Sequence, residues 1–272
     1  MSAIKRVLVL HGYSQNAAIF SKRLAALRKE SKDIDYVFVN APLILLPTDL
    51  FTSPQSLDSE ASGSGIVDTQ SNPETALRGW WKTQKDKDRA NTSGLKESIL
   101  FLRDVLKEQK FDGVFGFSQG AGLAAVLAAL LERPHLYPDF LVDGKSPHPP
   151  FQFCVAVSGF KLKDPSCDAL FTPSYSTPTL HVLGKTDVVV IEERARQLIA
   201  VSANARVEEH EGGHFVPSKG TWRKFLVNWM KDPSAPLPSP SAASVSQSEP
   251  PSGTSTPAIG GADYKNAVQM KL

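Results

Sequence analysis

Over the first 232 residues, short apolar runs alternate with stretches in which apolar side chains recur every three or four positions. The runs "RVLVLHG", "IDYVFVNAP", "FDGVFGF", "FQFCVAVSGF", "TPTLHVLG" and "ARVEEHEGG" read as strands, several of them apolar on both faces. Between them, Phe20, Leu24 and Leu27 share one helical face, as do Leu95, Ile99, Leu102 and Leu106, with Thr92 or Ser93 placed to cap the second helix. An alanine-rich run after Gly120, the run "VIEERARQLIA" and the set Trp222, Phe225, Leu226 and Trp229 complete the helices. Buried strands alternating with amphipathic helices predict an α/β fold: an open, mostly parallel sheet with helices on both faces. Its active site is expected at the carboxyl ends of the strands.

Two segments break the alternation. Residues 43–92 are long, polar and rich in turn residues, with "RGWW" as their strongest apolar patch, and such a loop leaving a strand end reads as a lid-like insertion. From residue 233 onward the chain turns to Pro, Ser, Ala and Gly, a composition that buries too little apolar surface to offset the entropy of ordering. The expected organisation is a catalytic domain over 1–232 and a disordered tail over 233–272.

Composition narrows the partners. A chain of 272 residues with 30 basic and 28 acidic side chains has a formal charge of +2 and no basic block, so neither nucleic acid nor an anionic membrane is called for. No apolar run reaches the length of a membrane span, and the run near the N-terminus is short for a signal peptide. Cys154 and Cys167 are too few for a disulfide framework and lack zinc-site spacing, which points to a reducing compartment. A cytosolic protein with nuclear access open, acting on a small molecule, is the expectation.

Within the third strand and the helix after it, "GFSQG" fits G-x-S-x-G, the pattern that holds a nucleophilic serine on a sharp strand-to-helix turn. Gly116 and Gly120 stand where a Cβ would clash across that turn, and Gly122 allows close packing of the helix. A serine hydroxyl needs a base, and the base needs a carboxylate to orient it. Asp187 follows the strand of "TLHVLG" and His214 follows the last strand, in the order serine, acid, histidine that this elbow uses. Rival groups are Asp164, Asp168 and Glu192 for the acid and His210 for the base; Asp187 has the better register, and His210 lies inside a strand. For the oxyanion, the N–H of Gln119 is the first expected donor, and Tyr13 or Ser14, after "HG" at the end of the first strand, supplies the second. His11 reads as a structural tie. Ser14, Trp80 and Trp81 are candidates for the pocket wall, although the two tryptophans read equally well as core.

Together "LVLHGYSQNAAIF", "RGWW", "GVFGFSQGAGLAA", "HVLGKTDVVV" and "EGGHFVP", in this order, resemble the family of serine hydrolases, the fungal FSH domain related to ovarian-cancer-associated protein 2. The resemblance covers residues 3–231. It implies an α/β-hydrolase fold, a cofactor-free triad with Ser118 as nucleophile, Asp187 as acid and His214 as base, and cleavage of acyl esters. Thioesters of an acyl or polyketide chain on a carrier protein are the alternative substrates. A ligand-binding module on the same fold is the reading from another class. A dehydrogenase is disfavoured, because "GFSQGAG" follows the third strand rather than the first and lacks the G-x-G opening.

Overall fold

The computed structural model describes residues 4–51, 75–86 and 89–242. The chain opens with β1 (Lys5–Leu10), α1 (Ala17–Arg23), α2 (Ala25–Glu30) and β2 (Ile34–Val39). Next come β3 (Leu43–Ile44), α3 (Pro47–Phe51), β4 (Arg78–Gly79), β5 (Lys82–Asp86), β6 (Arg89–Ser93) and α4 (Leu95–Glu108). The central pair is β7 (Gly113–Phe117) and α5 (Gln119–Glu132), followed by β8 (Phe153–Val157), α6 (Pro165–Asp168), β9 (Thr179–Gly184), α7 (Glu192–Ile199), β10 (Ala205–His210) and α8 (Gly220–Lys231).

Six strands form one sheet in the order β10-β9-β8-β7-β1-β2, and every neighbouring pair is parallel. All six are the strands read from the apolar runs. Alternate residues of these strands feed two cores, as the two-residue period requires. Leu8, Leu10, Val114 and Ala156 pack with α4, α5 and α7 on one face. Val7, Val9, Phe115, Val155 and Val182 pack with Phe20, Leu27, Trp222, Phe225 and Trp229 of α1, α2 and α8 on the other. From β1 the chain steps outward to β2, then returns to the opposite side of β1 as β7. The crevice between the ends of β1 and β7 is therefore the switch point at which open parallel sheets bind ligands.

Local details depart from the expectations. The helix read over Phe20 to Leu27 is two short helices, with Leu24 as the cap between them. Neither Thr92 nor Ser93 caps α4: Gly94, in the left-handed region at φ 89°, is the cap residue and makes no side-chain cap bond. Ser93 is instead the end of a strand, and the Thr92 hydroxyl donates to the Asp164 carboxylate.

Of the lid expectation, residues 52–74 and 87–88 lie outside the described residues. The parts on either side of them form an antiparallel pair, β3 with β4, and a hairpin of β5 with β6.

The expected boundary at 232/233 is also revised. Residues 233–242 run beside β10: Arg206 donates to the Leu237 carbonyl at 2.6 Å, Ser239 donates to Glu208 Oε2 at 2.6 Å, and Ser241 donates to the Glu209 carbonyl. Leu237 packs against the second core and Pro240 is buried. Proline-rich composition hid this because the stabilising groups are side chains of a strand about thirty residues earlier. The rest of the tail, 243–272, lies outside the described residues.

Candidate active site

Ser118 sits between the last residue of β7 and the first of α5, with φ 53° and ψ −117°. A sparsely populated conformation of this kind costs a non-glycine residue of order 1–3 kcal/mol. It is held from both sides: the Ser118 N–H donates to the Val157 carbonyl of β8 at 2.9 Å, and the Ser118 carbonyl accepts from Ala121 and Gly122 at 3.0 and 3.2 Å. A Cβ on Gly116 would lie 2.3 Å from the Gly120 carbonyl oxygen, and one on Gly120 would lie 2.3 Å from that of Leu10, so neither position admits a side chain. A serine at a helix start ordinarily turns its hydroxyl back to cap the helix. Here it makes no cap bond, because the turned backbone aims Oγ at the histidine.

His214 Nε2 lies 2.9 Å from Ser118 Oγ, and His214 Nδ1 lies 2.7 Å from Asp187 Oδ2. Asp187 is fixed in turn, since its Oδ1 accepts from the N–H groups of Val189 and Val190 at 2.9 and 2.8 Å. Burial alone would raise the Asp187 carboxyl; the hydrogen bond and charge of His214 and the amide of Val190 outweigh it and hold the group below the ordinary carboxylate range. The strand ends that carry the two residues are joined by backbone bonds, Lys185 N–H to the His210 carbonyl at 2.9 Å and Thr186 N–H to the Gly212 carbonyl at 3.1 Å. Phe117 backs the imidazole, its ring centroid 4.9 Å from that of His214. Three residues, 27 and 96 positions from His214 in the chain, thus form one hydrogen-bonded line.

The rivals are engaged elsewhere. Asp164 caps α6 through Ser166, Asp168 pairs with Lys161 at 3.2 Å, and Glu192 pairs with Arg196 at 2.8 Å. His210 is buried against Phe215 and Trp222, its Nδ1 accepts from Gly212, and burial lowers its pKa.

The loop after β1 is built as a rigid tie. His11 Nε2 accepts from the Ala41 N–H at 3.0 Å, so its Nδ1 carries the proton given to the Gly12 carbonyl at 2.7 Å. Burial lowers the His11 pKa to about 4, which keeps the ring neutral. Gln15 accepts from the Gly12 N–H through its side chain, and its carbonyl takes the Arg78 N–H at 2.8 Å. Between these ties lie Tyr13 and Ser14. The N–H groups of Tyr13 and Gln119 meet no acceptor among the described residues. The Tyr13 ring is buried with its hydroxyl 3.3 Å from the Asp49 carbonyl; Ser14 is buried at φ 55° with Oγ unpartnered among the described residues.

Trp80 lies in the core. It is fully buried, its indole donates to the His11 carbonyl at 2.8 Å, and it belongs to the first core. Trp81 is buried too, but its ring edge borders a cavity described below. The residue that sequence reasoning undervalued is Gln119, read for its backbone only. Its buried side chain accepts from the Trp80 N–H at 2.7 Å and donates to the Trp81 carbonyl at 2.8 Å, clamping "RGWW" against the nucleophile turn. Its adjacency to Ser118 was the available signal.

The family model described as serine hydrolase (FSH1) matches residues 1–226. The chain belongs to that family. Among FSH1 relatives, the zebrafish (Danio rerio) protein named esterase OVCA2 is 34% identical over 242 residues, covering 85% of this chain and 99% of the relative. The Saccharomyces cerevisiae protein named family of serine hydrolases 3 is 32% identical, covering 85% of each chain. A Schizosaccharomyces pombe relative named dihydrofolate reductase is 33% identical over 85% of this chain, yet the chain spans only 48% of that protein's length. In solved structures, the FSH1 fold of this chain matches acyl-protein thioesterase 2 of Zea mays with TM-score 0.55 and 16% identity, covering 85% of this chain and 94% of that one. Esterase PE8 matches with TM-score 0.54 and 19% identity, covering 85% and 93%. The fold is that of the α/β hydrolases.

Proposed function

We propose that this chain hydrolyses small carboxylic esters through an acyl-enzyme on Ser118. The observation that carries the reading is the unbroken line from Ser118 Oγ through His214 to Asp187, with spacings of 2.9 and 2.7 Å. In the first half-reaction His214 Nε2 takes the Ser118 proton as Oγ bonds to the ester carbonyl carbon. Asp187 holds the Nδ1–H and balances the charge on the imidazolium. The oxyanion is met by the N–H groups of Gln119 and Tyr13, which stand at the mouths of β7 and β1 on either side of the switch point; each such donor is worth about 3–4 kcal/mol in transition-state stabilisation. Collapse expels the alcohol with the proton from Nε2, and water repeats the sequence on the acyl-enzyme. Names of relatives as esterases agree with this substrate class.

A thioester carbonyl meets the same groups, and a carrier-protein thioester with its acyl carrier as partner is the second reading. The basic groups Lys161, Lys163 and Arg194 around one cavity favour it, with Arg194 within reach of the Asp187 charge. Turnover of acyl-carrier thioesters measured against free short esters separates the two. The hydrolase reading itself is tested with p-nitrophenyl esters and a fluorophosphonate probe: the wild-type chain is expected to turn over the esters and to label, and Ser118→Ala to do neither. Labelling of Ser118→Ala would overturn it.

Among the described residues no helix is long and apolar enough to cross a membrane.

A further inference from the structure

A cavity of about 170 Å³ is bordered by Trp81, Thr92, Phe160, Lys161, Leu162, Lys163 and Arg194, the last within electrostatic reach of Asp187. Its floor is tied to the nucleophile turn. Gly122, whose N–H bonds to the Ser118 carbonyl at 3.2 Å, is so placed that a Cβ there would lie 2.8 Å from Leu162 Cδ1 and 3.8 Å from Trp81 Cη2. The Trp81 carbonyl accepts from Gln119, the residue after Ser118. Trp81 and Phe160 meet edge to face, with ring centroids 6.1 Å apart. The apolar floor thus packs on Gly122, four residues along the chain from the serine.

The cations over that floor are unevenly committed. Lys161 pairs with Asp168 at 3.2 Å. Arg194 is half-buried with its guanidinium carbon 4.2 Å from the Phe160 ring centroid, and its hydrogen bond is a long one, 3.5 Å to the Val189 carbonyl. Among the described residues neither Arg194 nor the exposed Lys163 has a carboxylate at ion-pair distance. Of the carboxylates nearby, Asp164 is taken up by Thr92 and Ser166, and Asp187, whose charge acts on Arg194, is held by His214 and the N–H groups of Val189 and Val190. A stacked guanidinium with no carboxylate at ion-pair distance, beside apolar rings, matches a ligand that carries an apolar part and an anionic group.

We infer that this cavity is a substrate subsite for an anionic group, a carboxylate or phosphate, carried on the ester or thioester that Ser118 cleaves, with Arg194 and Lys163 as its recognition groups. The inference rests on the hydrolase reading above and adds the charge of the substrate to it. The anion can sit on the acyl chain or on the leaving group, and two pairs of substrates distinguish these. The first pair is p-nitrophenyl hydrogen glutarate against p-nitrophenyl valerate. The second is butyryl-coenzyme A against butyryl-N-acetylcysteamine.

In at least one pair, kcat/KM is expected to favour the anionic member by about tenfold or more at low salt, and the preference to collapse toward parity in 1 M salt. Arg194→Gln should lower the anionic-to-neutral ratio by about tenfold, Lys163→Gln by about threefold, and Arg194→Lys should retain more of it than Arg194→Gln. Parity in both pairs for the wild-type chain overturns the subsite, as does a ratio unmoved by Arg194→Gln. Should Arg194→Gln fail to fold, the ratio in Lys163→Gln, an exposed site, decides in its place. If the wild-type chain turns over neither the neutral nor the anionic esters and does not label with fluorophosphonate, the hydrolase reading falls and the subsite with it.

Discussion

Ser118 and Ser158 end neighbouring strands of the sheet at nearly the same positive φ, and of the two only Ser118 is hydrogen-bonded to a histidine among the described residues. Their φ angles are 53° and 49°, each is 2% exposed, and each N–H donates to a carbonyl of the next strand, at 2.9 and 2.8 Å. What differs is the surroundings. Ser118 opens a helix of 14 residues at the switch point of the sheet, and His214 reaches its Oγ. Ser158 is followed by Gly159 and Phe160 in a loop, and its Oγ makes no hydrogen bond of ordinary geometry among the described residues. It shares the wall of a cavity of about 250 Å³ with Asp187, and its hydroxyl adds to the forces holding that carboxyl down. A strained turn at a strand end is therefore not what makes a nucleophile. The loops of the two strands farther along the sheet, which bring Asp187 and His214 together, make the difference.

The largest expected effect is on the serine itself. Ser118→Ala should lower kcat for p-nitrophenyl esters by about 10⁴-fold or more, whereas Ser158→Ala should keep kcat/KM within about tenfold of the parent, both read in the same steady-state assay. Asp187→Asn removes the group that orients His214 and should cost about 10³–10⁴-fold in kcat with the fold retained.

The same carboxyl carries a pH prediction. Its folded pKa lies below the ordinary value, so the stability it adds is present above the ordinary carboxylate pKa, about 4, and is lost as pH falls through the lower folded value. Tm of Asp187→Asn should accordingly fall less steeply than that of the parent below about pH 4.

Gly120→Ala sharpens the comparison from the backbone side. With a Cβ 2.3 Å from the Leu10 carbonyl oxygen, it should lower both stability, by about 1–3 kcal/mol, and labelling. The smallest effect is at the second turn: Ser158→Gly relieves about 1–2 kcal/mol of left-handed strain but adds about 0.5–1 kcal/mol of unfolded-state entropy, so Tm should move by less than about 4 °C.

The comparison also shows which parts of the molecule were legible in the chain. The six strands and their sheet could be read because burial on both faces leaves continuous apolar runs such as "FCVAV". The hydrogen-bonded line of Ser118, His214 and Asp187 was legible because a strand-turn-helix serine constrains where a base and an acid can stand, and the structure brings these three side chains together. Gly116 and Gly120 announce the elbow at Ser118, whereas Ser158 has Ala156 and Phe160 in the equivalent places, so its turned backbone left no mark in the sequence. Trp80 was ambiguous because a large aromatic residue suits a core and a pocket equally; only the partner of its indole, the His11 carbonyl, decides for the core. The Gln119 clamp depends on a segment 38 and 39 residues away, and the packing of residues 233–242 on the side chains of Arg206 and Glu208. Long-range side-chain contacts of this kind have no local periodicity to announce them.

The most direct test of the account is to label the wild-type chain with a fluorophosphonate and map the adduct by peptide mass spectrometry. The account predicts a single adduct on Ser118, abolished in Ser118→Ala and retained in Ser158→Ala. An adduct on Ser158, or labelling that survives Ser118→Ala, would contradict it.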